Sequence, residues 1–107
     1  MGKYLSYKEY LHGVCKVDGI SPRKIRINEI MDIIIISVKN HQKDGIDIEC
    51  FKVINSIIKT LSPHGIKFKT QLCFIPREKN NVLNSVEVHI SINEIKKIER
   101  ILNEEDS

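Results

Sequence analysis

Polar and apolar positions change period several times along the chain, and each change predicts an element. Tyr7, Tyr10, Leu11 and Val14 recur at i, i+3, i+4 and i+7, one face of a short helix, and Ser6 with Glu9 has capping-box spacing. Asp18-Gly19 and Ser21-Pro22 mark a turn. Residues 23–27 then alternate, with Ile25 and Ile27 on one side and Lys24 and Arg26 on the other, the pattern of a short strand. Asn28 suits an N-cap, so a helix is expected over residues 29–39. The β-branched run 33–38 fits a buried strand as the alternative.

Asp47 can cap the next helix, with Glu49 in its first turn. Cys50, Phe51, Ile54, Ile57, Ile58 and Leu61 form its apolar stripe, opposite Lys52, Asn55, Ser56 and Lys59. Ser62-Pro63-His64-Gly65 ends it. Ile66, Phe68, Thr70, Leu72 and Phe74 alternate with Lys67, Lys69, Gln71 and Cys73, a half-buried strand. Val86, Val88, Ile90 and Ile92 make a second, joined to the first by a polar hairpin loop over residues 76–84. Ser91 and Glu94 again have capping-box spacing, and a last helix turns Ile95, Ile98, Ile101 and Leu102 inward before fraying.

Composition narrows the class. With 107 residues, 41% hydrophobic and 29% charged, the chain predicts one folded domain rather than disorder. It divides into an N-terminal helix and turn (1–20), a core (23–92), a C-terminal helix (93–103) and an acidic tail (104–107). There are 20 Ile, no Ala and no Trp, a bias that reads as an AT-rich genome and weakens the information in each Ile run. The net charge of +3 is uneven. Residues 1–79 carry 14 Lys and Arg against 8 Asp and Glu, and residues 80–107 carry 3 against 6. A basic body permits a polyanionic partner. Three cysteines without a CxxC pair argue for a reducing compartment. The N-terminus lacks the apolar stretch of a signal peptide, and no apolar run approaches a membrane span. A cytoplasmic location and no membrane partner are expected.

The expected order is α+β: helix, short strand, helix, helix, strand, wing loop, strand, helix. This order resembles the winged helix-turn-helix family of DNA-binding domains, in which a three-helix core carries a β-hairpin wing. Size and AT bias are also similar to those of DNA-binding accessory proteins of conjugative plasmids and phages. The resemblance implies a homodimeric regulator of transcription or conjugation that binds double-stranded DNA. Two features depart from that family. Seven residues, 40–46, separate the paired helices, against about 3–4 in the usual turn. Asp47 and Glu49 also stand at the helix end that would meet phosphate.

The hairpin is better suited to contact. Arg77, Lys79, Asn80 and Asn81 in its loop, with Lys67 and Lys69 on a strand, are the expected DNA-binding residues; Lys52 and Asn55 on the second paired helix are secondary. Two other nucleic-acid readings fit parts of the order. The last six elements resemble a KH-type RNA-binding module, although Gln42-Lys43-Asp44-Gly45 stands where that family has GXXG. A strand at 33–38 would instead resemble an Alba-like sheet. A protein-binding inhibitor or adaptor of phage or plasmid origin is the alternative of another class. The scattered His12, His41, His64 and His89 have no zinc spacing, and no nucleophile, phosphate-loop or paired-carboxylate motif occurs. No enzymatic activity, catalytic residue, metal, cofactor or small-molecule substrate is therefore expected.

Overall fold

The computed structural model describes residues 6–41, 45, 47–77 and 81–106, with side chains through residue 103. Ser6 caps helix α1 (Tyr7–Cys15), its side chain accepting from the Glu9 N–H at 3.3 Å. A short 3₁₀ turn, Pro22–Lys24, leads into β1 (Ile25–Ile30) and β2 (Ile33–Lys39). Helix α2 (Ile48–Leu61) starts on Asp47, whose carboxylate accepts from the Cys50 N–H at 2.8 Å. A second 3₁₀ turn, Ser62–His64, ends in left-handed Gly65. Strands β3 (Lys69–Pro76) and β4 (Asn81–Ser91) and helix α3 (Ile92–Asp106) complete the order.

The four strands form one antiparallel sheet in the order β1-β2-β4-β3. Period-2 alternation gives it two unlike faces. Ile34, Ile36 and Val38 of β2 and Val86, Val88 and Ile90 of β4 point into the core. They meet Leu11 of α1, Val53, Ile57 and Leu61 of α2, and Ile95 and Ile98 of α3, all buried. Each such side chain stabilises the fold by about 1.5–3 kcal/mol. No helix among the described residues is long and apolar enough to cross a membrane.

The α+β class stands, with three helices against one sheet. The helix expected over residues 29–39 does not form. A β-hairpin replaces it, turning at Met31, which takes φ 55°. β2 is an inner strand with ladders on both sides, so its β-branched residues pack on a pleat against both neighbours. Ile34 pairs with Ile90, Ile36 with Val88 and Val38 with Val86, all on the helix side. That burial outweighs the capping signal at Asn28. The two paired helices implied by the winged-helix resemblance are consequently reduced to α2 alone.

Three smaller differences follow from packing. The α2 stripe centres on Cys50, Val53, Ile57 and Leu61, which leaves Phe51 57% and Ile58 41% exposed. The expected loop over residues 76–84 shortens, because Pro76 pairs with Asn81 and residues 82–83 also pair with β3. Helix α3 continues through Asp106 instead of fraying, and Glu94 accepts from the Lys67 N–H at 2.6 Å and from Lys97 Nζ at 3.0 Å.

Candidate functional site

The hairpin residues do not form one strip. Lys69 pairs with His89 at one end of β3, while Pro76 and Asn81 close the other end next to exposed Arg77. Seven strand residues separate these ends by roughly 23 Å. Lys67 precedes β3 on the α3 side, its N–H bound to Glu94. Lys79 and Asn80 lie outside the described residues, as do residues 42–44 of the GXXG-like loop. Lys52 and Asn55 line a shallow depression with Lys16 and Lys59 between α1 and α2, on the helix layer. The structure therefore separates α2 from the sheet surface where the other cations stand.

That surface is the sheet face not covered by helices. Its rows run across the strands in register. Arg26 lies opposite Ser37, Ser37 opposite Glu87, and Glu87 opposite Gln71. The next row is Asn28, Ile35, His89 and Lys69. Glu87 is engaged by His89, with Nε2 at 2.9 Å from Oε1. The face carries none of the described aromatic residues. Tyr7 and Tyr10 belong to α1, Phe51 to α2, Phe68 packs on the core, and Phe74 pairs with core residue Leu83 on the helix side.

One corner of this face is strongly basic. Arg23, Lys24, Arg26 and Lys39 line a cavity of about 290 Å³ together with Ser37, Asn84 and Ser85, Lys24 being the one that is ion-paired. A β-bulge makes the last two available. Cys73 pairs with Ser85 but Phe74 with Leu83, so Asn84 is the extra residue of β4. Bulges re-aim side chains, and here Asn84 and Ser85 both line the open-face cavity while Leu83 and Val86 stay in the core.

A polar network behind the corner fixes it. Lys24, only 8% exposed, places Nζ 2.9 Å from Asp47 and 3.4 Å from Glu49. Asp47 also accepts from the His41 N–H at 2.8 Å, and its own N–H donates to Asn40 Oδ1 at 2.7 Å. Asn40 Nδ2 donates to the Leu83 and Gly45 carbonyls at 3.0 Å each, and the Asn40 N–H to the Asn84 carbonyl at 2.8 Å. The end of β2, the bulge of β4 and the start of α2 are thus tied at one point. Burial works against both charges. The hydrogen bonds from His41, Lys24 and Cys50 nevertheless bring Asp47 down to about 2, and the two carboxylates hold Lys24 raised. Lys24 offsets one of the two carboxylates at the α2 N-terminus.

The remaining chemistry is quiet. Burial pushes the Cys15 thiol up to about 12 and the Cys50 thiol up to about 11, far from thiolate nucleophiles. Among the described residues, no group of three or more His, Cys, Asp or Glu side chains is placed to hold a metal ion. The corner was missed by sequence reasoning because its residues come from three distant segments. The one signal available was the alternation that put Arg26 opposite Ile25 and Ile27. Comparison with family models, curated proteins and solved structures finds no match to the chain.

Proposed function

We propose that this protein binds double-stranded nucleic acid across the open face of its sheet. The backbone would rest on Arg23, Arg26 and Lys39, with the β3–β4 hairpin lying along a groove. The observation that carries this reading is the set of unneutralised cations. Lys24 and Lys97 are held by internal carboxylates. Arg23, Arg26 and Lys39 have no acidic side chain at ion-pairing distance among the described residues. Free, clustered cations are the electrostatic footprint of a phosphate backbone. A duplex is favoured over a single strand because single strands are held by stacking bases on aromatic rings, and none of the described aromatic residues lies on this face.

The hairpin keeps the wing's part of the winged-helix expectation without its recognition helix. Arg77 and Asn81 at the hairpin end are the candidates for base contacts, since Arg reads guanine and Asn reads adenine with two hydrogen bonds each. A second reading, docking of another protein, is favoured by Phe51, Leu72 and Phe74, which are 57%, 47% and 54% exposed.

A salt titration separates the two. Binding of a fluorescent duplex is expected to fall steeply with salt, with a log–log slope of about −3 for three phosphate contacts. Arg26→Ala and Lys39→Ala should each flatten the slope by about one unit. Lys52→Ala should leave it unchanged. Absence of binding at about 50 mM salt overturns the nucleic-acid reading.

A further inference from the structure

The basic corner is a cavity, and a cavity suits the end of a strand better than its middle. An internal phosphodiester sits on a ridge, carries one charge and presents two free oxygens. The corner instead brings Arg23, Arg26 and Lys39, none of them ion-paired among the described residues, to the lining of one space of about 290 Å³, beside the ion-paired Lys24. It adds neutral hydrogen-bonding groups from Ser37, Asn84 and Ser85. Three cations exceed what one phosphodiester neutralises. A phosphate monoester, with its charge of about −1.5 to −2 and three terminal oxygens, matches both the charge and the number of donors. Of the nearby carboxylates, Glu49 shares the single Lys24 cation with Asp47, and Glu87 hydrogen-bonds His89.

We infer that the corner formed by Arg23, Arg26, Lys39 and the bulge residues Asn84 and Ser85 is a seat for a terminal phosphate monoester. This deepens the reading above and rests on it for the anion-binding character of the face. The same chemistry is carried by a phosphorylated strand end and by free phosphate, so the test has an arm for each.

Two duplexes of one sequence, differing only in a 5′-phosphate or a 5′-hydroxyl, are titrated against the protein at moderate salt. The phosphorylated duplex should bind about tenfold more tightly. Arg26→Ala and Asn84→Ala should bring the two within about twofold. Arg26 and Asn84 are away from the core, so folding is preserved; circular dichroism of each variant checks this. Inorganic phosphate alone, added to the wild type, should shift the amide resonances of residues 84 and 85 and should compete away the advantage of the phosphorylated duplex. Equal binding of the two duplexes, both with a steep salt slope, overturns the seat and leaves the duplex reading standing. Shifts at residues 84 and 85 with inorganic phosphate, but no duplex binding, support the seat and overturn the duplex reading. No shift and no 5′-phosphate preference removes the seat altogether.

Discussion

Strands β2 and β3 belong to one sheet but are held very differently. β2 is an inner strand whose Ile34, Ile36 and Val38 are fully buried under the helices, and Asn40 and Asp47 tie its end to β4 and α2. β3 is an edge strand with one ladder only. Its helix-side residues Leu72 and Phe74 pair with Val86 and Leu83, yet both stay about half exposed. β2 is also the richer of the two in β-branched residues, so propensity and burial act in the same direction. The comparison places the core on the inner strands β2 and β4 and leaves the edge strand β3 free for contact.

The sharpest way to break that comparison is at the tie itself. Asp47→Ala leaves Lys24 buried without its closest partner and removes the α2 cap, so it should destabilise the protein by about 3–5 kcal/mol in urea unfolding. A loss no larger than that of an ordinary surface substitution would mean that the network does not hold the hairpin base. Truncations in the two strands come next. Ile36→Ala should cost about 2–5 kcal/mol, because it opens a cavity in a sealed core. Leu72→Ala should cost about 1 kcal/mol or less, since much of that side chain is already in water. Similar costs for both would erase the distinction between the two strands.

Acid titration sharpens the account of the tie. Asp47 is brought down to about 2 in the fold, against about 3.9 unfolded. Its contribution is therefore fully present above the unfolded value and is lost as pH falls from about 5 toward 2, an effect of order 2–3 kcal/mol. Stability measured from pH 6 downward should drop across that window in the wild type and much less in Asp47→Asn.

Much of this fold was legible from spacing. Ser6 and Asp47 cap helices as their side chains suggest, and the alternation from Val86 to Ile90 marks β4 correctly. The failure at residues 29–39 has a physical cause. Four consecutive Ile have no period, so they cannot distinguish helix from strand, and Asn28 tipped the reading toward a cap. Only the ladders on both sides of β2 decide it. The site was less legible still. Arg23 and Arg26 are separated from Lys39 by a turn, and from Asn84 and Ser85 by more than half the chain. Nothing local marks Lys24 as the one cation of its cluster that is buried and neutralised. Register and tertiary burial create those relations, and neither is written in short-range pattern.

The bulge carries a consequence for how such a site is inherited. Leu83 faces the core, Ser85 the open side, and Val86 the core again. Strand alternation across this point would therefore be regular if Asn84 were simply missing. The codon for Asn84 is a one-residue insertion whose loss keeps every other side chain of β4 on its present face. It is thus a place where an in-frame deletion, rather than a substitution, would remove a lining group together with the carbonyl that accepts from the Asn40 N–H. The corner is encoded partly in the length of β4, and a mutational scan confined to single-letter changes would never sample that variable.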